Sequence, residues 1–136
     1  MVAIRLTSFE DVRRARQCVV DLAQAAGIPD LGAAALATGE LGNNCVEHGD
    51  QAPGLLWISC RPGRLRLQFE NRCEQQPNWR TRKPMAVAAV RTGGYGLVLA
   101  RALADRLSCR WAQGRVVVRV EFLGVRGPHA PRKQPG

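Results

Sequence analysis

The sequence predicts a two-layer α/β sandwich, in which helices cover one face of a mixed, mostly antiparallel sheet. Three observations lead to this prediction. Segments with alternating apolar and polar residues occur in pairs joined by short glycine-containing turns, which is typical of antiparallel hairpins. Two long helical patterns precede the first hairpin, and a third helical pattern precedes the second. The order of elements is therefore β-α-α-β-β-loop-α-β-β, without internal repeats.

The N-terminal part predicts one short strand and one helix. Residues 2–6 alternate between apolar and polar side chains, as a half-buried strand does. We expect Ser8 to cap the following helix and Gly27 to end it after Ala26. The apolar face of this helix repeats at helical spacing and consists of Val12, Ala15, Val19, Leu22, Ala23 and Ala26.

The second helix carries an unusual polar stripe. We expect it to run from Leu31, behind the capping residue Asp30, to about His48. Its apolar stripe is predicted to consist of Leu36, Leu41 and Cys45. Beside it, at i, i+4 and i+8 spacing, lie Glu40, Asn44 and His48. Polar groups along a half-buried helix are costly unless they serve one another or a ligand, although a solvated helix face is the simpler alternative.

The second half predicts two hairpins and a further helix. Strands are expected at residues 55–60, 64–71, 108–112 and 115–123, with turns at 61–63 and 113–114. The helix is predicted to begin at the glycine-rich turn Gly93-Gly94-Tyr95-Gly96-Leu97 and to end near Leu107. Residues 72–92 show little periodicity, apart from a short helical pattern at 85–90. An irregular segment of about 20 residues within a compact domain is usually functional.

Composition limits the classes of protein to consider. A chain of 136 residues with 46% hydrophobic content fits one domain, expected over residues 1–123, followed by a basic, Pro/Gly-rich tail at 124–136 that composition predicts to be disordered. No apolar run is long enough to span a membrane and no signal-peptide pattern is found, so we expect a cytoplasmic protein. The five cysteines form no C-x-x-C pair, which argues against a disulfide framework or a zinc site.

The formal net charge of +9 indicates anionic ligands or acidic partners. Much of the positive charge lies in the tail and in the central irregular segment. Aromatic residues make up only 5% of the chain and none alternates with basic residues, which disfavours nucleic acid as the partner. A flat salt dependence in filter binding would exclude a nucleic-acid interface.

Two stretches contain residues suited to phosphate chemistry. Glu40 is a candidate general base, and the side-chain oxygen of Asn44, one turn away, is a candidate Mg²⁺ ligand. Gly94 and Gly96 leave backbone N–H groups at a helix start open to phosphate oxygens, although many helices begin after glycines only to make a turn. The basic central segment, with Arg80, Arg82, Lys83 and Arg91, suits a lid over a polyphosphate or, more simply, a solvated loop.

These stretches resemble the signature motifs of one family. The run Gly39-Glu40-Leu41-Gly42-Asn43-Asn44-Cys45-Val46-Glu47-His48-Gly49 is similar to the N-box of the GHKL, or Bergerat-fold, ATP-binding domains. The run Gly94-Tyr95-Gly96-Leu97, with Leu103-Ala104-Asp105 downstream, is similar to their second glycine box. The chain as far as about Phe122 resembles, more narrowly, the RsbW/SpoIIAB/RsbT-type anti-sigma-factor serine kinases.

The resemblance implies a serine/threonine protein kinase of a bacterial partner-switching pathway, with ATP and Mg²⁺ as cofactors. It implies that Glu40 is catalytic and that Asn44 holds the metal. The nucleotide-binding residues would be Asn44, Asn71, Gly94, Tyr95, Gly96 and Leu97, whereas His48 has a structural role. The implied partner is a STAS-domain antagonist that accepts the phosphate, with a sigma factor or a downstream regulator as a further partner. Whether the chain forms a homodimer is left open.

The sequence departs from the family at the expected base pocket. The first glycine box of the family reads Asp-x-Gly-x-Gly, whereas here Asn71 takes the Asp position and Cys73 the first Gly position. Arg115 follows Gly114 where the family has Gly-Thr. A neutral Asn should bind an exocyclic amine more weakly than Asp, and a cysteine narrows the pocket. The alternative function is therefore a kinase-like binding module with a weakened nucleotide site, which sequesters a sigma factor or regulates a partner enzyme.

Overall fold

The computed structural model describes residues 1–48, 52–73 and 95–124. Within these ranges the chain forms five strands and three helices, which confirms the predicted two-layer α/β sandwich. In chain order they are β1 (Val2–Leu6), α1 (Phe9–Ala26), α2 (Leu31–His48), β2 (Gly54–Arg61), β3 (Arg64–Arg72), α3 (Tyr95–Leu103), β4 (Arg106–Ala112) and β5 (Arg115–Leu123).

The strands form one sheet in the order β1-β2-β3-β5-β4, and each neighbouring pair is antiparallel. Helices α1 and α2 pack on each other and on β1, β2 and β3, while α3 packs on α2. Because side chains alternate along a strand, one sheet face is apolar and meets the helices. We call it the inner face, and its fully buried side chains are Leu6, Leu56, Ile58, Leu65, Leu67, Phe69 and Val120.

Both ends of α1 are capped as the sequence predicts. The Asp11 backbone N–H donates to the Ser8 hydroxyl (3.3 Å), and the Asp11 carboxylate accepts from the backbone N–H groups of Thr7 (2.9 Å) and Ser8 (3.2 Å). These hydrogen bonds, those from Thr7 first, lower the pKa of Asp11 to about 2. Aspartate thus completes the capping box in place of the more usual Glu or Gln. Gly27 ends the helix with a φ of 80°.

The hairpin turns also follow the predicted residues. Gly63 has a φ of 79°, and Gln113 and Gly114 have φ values of 52° and 73°. In the β4–β5 turn, both central residues, Gln113 and Gly114, have positive φ. This is the signature of the type I′ turn, whose twist matches that of the strands it joins. The Gly63 backbone N–H donates to the Ala26 carbonyl (2.7 Å), so the β2–β3 turn is attached to the end of α1.

One predicted boundary is wrong. Helix α3 ends at Leu103 rather than near Leu107, and Leu107 lies in β4. The cause is Asp105, whose backbone N–H donates to the Glu121 carbonyl (2.9 Å) and whose carboxylate accepts from the Leu123 N–H (2.8 Å). These bonds to β5 turn the chain out of the helix.

Several predictions lie outside the described residues, namely the irregular central segment from residue 74, the short helix at 85–90 and the disordered tail from residue 125. In the described ranges, no helix combines the length and hydropathy that crossing a membrane requires.

Candidate functional site

Helix α2 buries two of the three residues predicted for its apolar stripe, Leu41 and Cys45. Its buried side chains include Ala34, Ala37, Leu41 and Cys45, whereas Leu36 is 44% exposed. The prediction for Leu36 is therefore wrong, and helix geometry explains why. Leu36 precedes Glu40 by four residues and belongs to the polar stripe, about 140° around the axis from Leu41.

The two candidate catalytic and metal-binding residues lie on this half-buried stripe. Glu40 and Asn44 are both partly accessible, and neither side chain makes a hydrogen bond or ion pair with the described residues. His48 is the last residue of α2, and its side chain lies outside the described part. A carboxylate and a carboxamide one turn apart, without partners within the described part of the protein, can therefore both engage a ligand.

A capping residue, a buried hydrogen bond and close packing against α1 fix the position of helix α2. Asp30 caps its start by accepting from the Ala33 backbone N–H (3.0 Å), and the buried Thr38 hydroxyl donates to the Ala34 carbonyl (2.8 Å). At Gly42, a Cβ atom would lie 3.0 Å from the nearest side-chain carbon of Val12 in α1. Glycine at this position thus permits the close packing of α1 and α2, which fixes the orientation of the polar stripe.

The last inner-face residue of β3 is Asn71, and it lies against α2. The Cys45 thiol donates to the Asn71 side-chain oxygen (3.8 Å between Sγ and Oδ1). Burial raises the pKa of Cys45 to about 12, so the thiol stays protonated and able to donate. Because Cys45 directly follows Asn44, this contact brings the end of β3 to the turn of α2 that carries the candidate metal ligand.

Cys73, just beyond β3, is anchored by the β4–β5 hairpin. Its backbone N–H donates to the Gly114 carbonyl (2.7 Å), and its own carbonyl accepts from the Trp111 indole N–H (2.9 Å). In register, Trp111 lies opposite Val116, which lies opposite Asn71. Sequence reasoning missed the roles of Trp111 and Cys45. The alternation of β4 places Trp111 on the inner face, but its partner follows only from the strand order.

The predicted second glycine box lies partly outside the described residues. Gly94 is not described, and Tyr95 and Gly96 form the first two residues of α3, without a described side-chain environment. Leu97 is half-buried and packs against the core, and Ala100 is fully buried. Since α3 packs on α2, the described part of this box, which begins at Tyr95, lies on a helix next to the one that carries the polar stripe.

Arg115 is not part of this site. It lies on the sheet face opposite the helices, where it pairs with Glu70 (3.5 Å between Nη2 and Oε1). The effect of the Gly114-Arg115 departure on nucleotide binding therefore stays a prediction. Of the three departures from the family, only Asn71 and Cys73 lie on the helix side or beside it.

The polar groups on α2 fit a metal that is shared with a ligand. Within the described ranges, no group of three or more His, Cys, Asp or Glu residues could hold a metal ion. Magnesium keeps several waters and takes one or two protein oxygens together with phosphate oxygens. The unpartnered side chain of Asn44 offers one such oxygen, so these residues fit a nucleotide-bound Mg²⁺ rather than a cation held by the protein alone.

Comparisons with known proteins agree with this fold. The family model described as histidine kinase-like ATPase domain matches residues 7–122. The fold is similar to the RsbU and RsbW domains of Rv1364c from Mycobacterium tuberculosis, with a TM-score of 0.57, 16% identity, and coverage of 89% of this chain and 32% of that chain. It is also similar to the catalytic domain of histidine kinase ThkA, with a TM-score of 0.56, 12% identity, and coverage of 93% and 98%. The comparison with curated proteins gave no match.

Proposed function

The chain belongs to the histidine kinase-like ATPase domain family, and we propose that it is an ATP–Mg²⁺-dependent serine/threonine protein kinase of a partner-switching pathway. The observation that carries the proposal is the pair Glu40 and Asn44, four residues apart on a half-buried stripe, with no partner in the described part of the protein. The N-box resemblance gives these two residues the roles of base and metal ligand. The fold similarity to a protein with an RsbW domain supports the kinase type.

The acceptor proposed is a serine or threonine hydroxyl on a STAS-domain antagonist. When bound, ATP would supply the γ-phosphoryl group and Mg²⁺ would screen the phosphate charges. Glu40 would accept a hydrogen bond from the acceptor hydroxyl and take its proton. Asn44 would hold the metal through its side-chain oxygen, and the backbone of Gly94 and Gly96, with Tyr95 and Leu97 in the same box, would contact the nucleotide.

The base end of the site is proposed to lie near Asn71. Its side-chain oxygen already accepts from Cys45, but an amide oxygen has a second lone pair and the amide nitrogen has two donors. The neutral Asn71 side chain would bind the adenine amino group through an uncharged hydrogen bond, which is weaker than a hydrogen bond to a carboxylate. We therefore expect the site to bind ATP more weakly than a site with aspartate at this position.

The test is a phosphorylation reaction read by intact mass. The protein is incubated with ATP, Mg²⁺ and the STAS-domain protein encoded beside it, and the mass of that protein is followed with time. The proposal expects a gain of one phosphate, abolished by mutation of the acceptor serine or threonine to alanine. An unchanged acceptor mass, with an active reference kinase of the same type as control, would contradict it.

A second candidate is a kinase-like binding module that sequesters a sigma factor or regulates a partner enzyme. It is favoured by the first glycine box, where Asn71 is neutral and bonded to Cys45 and where Cys73 occupies a glycine position. Titration calorimetry distinguishes the two functions, because a module of this kind gives no heat with millimolar ATP and Mg²⁺. Asn71→Asp is the informative variant, since it restores the charged family residue and should strengthen ATP binding if the pocket is otherwise open.

A further inference from the structure

The sheet face that points away from the helices carries an unusual amount of positive charge. We call it the outer face. It is formed by the alternate residues of all five strands, and its half-buried or exposed residues include nine arginines: Arg5, Arg61, Arg64, Arg66, Arg72, Arg106, Arg110, Arg115 and Arg119. Among the described residues of this face, only Glu70 and Glu121 are acidic. Much of the charge of the described chain is therefore concentrated on one surface.

Fold stability does not account for this concentration. Arg61 lies directly opposite Arg64, and Arg72 lies directly opposite Arg115. Like charges at directly opposed positions of neighbouring antiparallel strands destabilise the pair. Arg64, Arg66 and Arg115 offset this cost through ion pairs with Glu121 and Glu70, but ion pairs with two glutamates do not account for nine arginines on one face.

The outer face already binds carboxylates of its own. The guanidinium groups of Arg64 and Arg66 both donate to one oxygen of Glu121 (2.9 Å from each donor nitrogen), and Arg115 pairs with Glu70. The remaining arginines outnumber the acidic residues. Arg5, Arg61 and Arg110 make no hydrogen bond or ion pair with the described residues. These three, on β1, β2 and β4, remain for groups outside the described part of the protein.

Apolar side chains lie among these arginines. Leu55, Trp57 and Val117 are half-buried on the outer face of β2 and β5. Beside them, a pocket of about 170 Å³ is lined by Ser59, Cys60, Arg61, Arg64 and Arg66. Tryptophan and arginine are the residues that most often dominate the energy of protein–protein interfaces, and an apolar centre within a charged rim is the usual arrangement.

Three other occupants fit this surface poorly. A second copy of the chain, meeting it face to face, would place nine arginines against nine. The two longer segments outside the described residues are themselves basic, with Arg80, Arg82, Lys83 and Arg91 in one and Arg126, Arg132 and Lys133 in the other. A single-stranded nucleic acid stacks successive bases on a series of aromatic rings, whereas Trp57 is the only aromatic residue among the described outer-face positions.

We propose that the outer face is a docking surface for an acidic segment of a protein partner, with carboxylates on the arginines and an apolar side chain at Leu55, Trp57 and Val117. The proposal goes beyond the kinase function and does not depend on it. Because the outer face lies on the other side of the sheet from Glu40 and Asn44, a partner can occupy it while the candidate nucleotide site is in use. The two sites can therefore be tested separately.

The experiment compares two charge-matched variants of the full chain. The first, Arg5→Gln/Arg61→Gln/Arg110→Gln, removes the three arginines that make no bonds with the described residues of the protein. The second, Arg13→Gln/Arg14→Gln/Arg101→Gln, removes the same charge from the helix side, where these arginines are exposed. The probe is a fluorescein-labelled, glutamate-rich peptide with one Leu-Phe pair, and binding is read by fluorescence anisotropy. Circular dichroism verifies that both variants are folded.

We expect the parent and the helix-side variant to bind the peptide alike, and the outer-face variant to bind about tenfold more weakly. The same peptide with Ser-Ser in place of Leu-Phe should bind the parent more weakly. Equal losses in both variants, or no binding by the parent, would overturn the proposal. So would an outer-face-dependent preference for a single-stranded oligonucleotide or for phosphatidylserine vesicles over the peptide. ATP with Mg²⁺ should leave peptide binding unchanged, whatever the outcome of the kinase assay.

Discussion

The two faces of the sheet are built from the same five strands but serve different purposes. On the inner face, alternate residues such as Leu67, Phe69 and Val120 are at most 1% exposed and pack beneath the helices. On the outer face, the residues between them include nine arginines, two glutamates and a few half-buried apolar side chains. The period of two along each strand thus separates the residues that stabilise the fold from those available for recognition.

The inner face also changes character along its length. In the middle it is fully apolar. At the end of β3, the neighbouring residues across β3, β5 and β4 include Asn71, bonded to Cys45, and Trp111, bonded to the carbonyl of Cys73. Polar atoms persist beneath packed helices only when they are bonded or reachable by a ligand. The candidate site therefore lies where the apolar core gives way to polar groups.

The largest effect is expected at the polar stripe of α2. Glu40→Gln should slow phosphoryl transfer to the STAS-domain acceptor by about 10²–10⁴-fold, because it removes the proposed base. Its stability should change by less than about 0.5 kcal/mol, since Glu40 makes no bond with the described residues. Transfer is measured by intact mass of the acceptor. Glu10→Gln, on the exposed start of α1, is the control, and an unchanged rate for Glu40→Gln would remove the base assignment.

A large effect on stability is expected at the centre of the inner face. Phe69→Ala should lower the free energy of unfolding by about 3–5 kcal/mol, because Phe69 is 1% exposed and its removal leaves a cavity. Phe9→Ala makes the same chemical change at a side chain that is 54% exposed, and should cost less than about 0.5 kcal/mol. Urea titration measures both. Similar losses for the two variants would show that the described core is not the source of stability.

On the outer face, the ion pairs of Glu121 should contribute a smaller amount. Burial raises the pKa of Glu121, but hydrogen bonds and charge from Arg64 and Arg66 outweigh it and hold the pKa below the ordinary 4.5. Glu121→Gln should therefore cost about 1–3 kcal/mol at neutral pH.

The pH dependence of this difference gives the sharper test. A carboxylate whose pKa is lowered by folding stabilises the protein above its unfolded pKa, and this contribution is lost as the pH falls through the folded value. The stability difference between the parent and Glu121→Gln should thus be full above pH 4.5 and shrink below it. Asp11, with a pKa of about 2, is present in both proteins and cancels. A difference that persists in acid would show that packing, and not charge, is responsible.

The smallest effect is expected for an outer-face arginine that has no carboxylate. Arg61→Gln should leave stability unchanged or raise it by a few tenths of a kcal/mol, because it relieves the repulsion with Arg64 on the neighbouring strand. Arg64→Gln, the matched variant directly opposite, should instead lower stability because Arg64 donates to Glu121. Equal changes in the urea midpoint of the two variants would contradict the prediction that Arg64 stabilises the fold and Arg61 does not.

The local elements could be predicted closely from the sequence. Ser8, Gly27 and Asp30 lie at the helix ends where they were expected, and the Gln113-Gly114 turn joins the expected strands. Leu36 was predicted to be buried and Leu107 to lie in a helix, and both predictions are wrong. An apolar residue is compatible with more than one helix face or element until its neighbours in space are known. The roles of Glu40, Asn44, Asn71, Gly94, Tyr95, Gly96 and Leu97 stay predictions.

The sequence by itself thus determined the elements, their order and the two-layer class, since caps, turns and alternation depend on residues only a few positions apart. Only the tertiary structure decided which distant residues meet. Cys45 and Asn71 are 26 residues apart in the chain, Trp111 and Cys73 are 38 apart, and the nine arginines of the outer face come from five strands. Strand order and register depend on packing between residues that are distant in the chain, and a local sequence pattern does not contain this information.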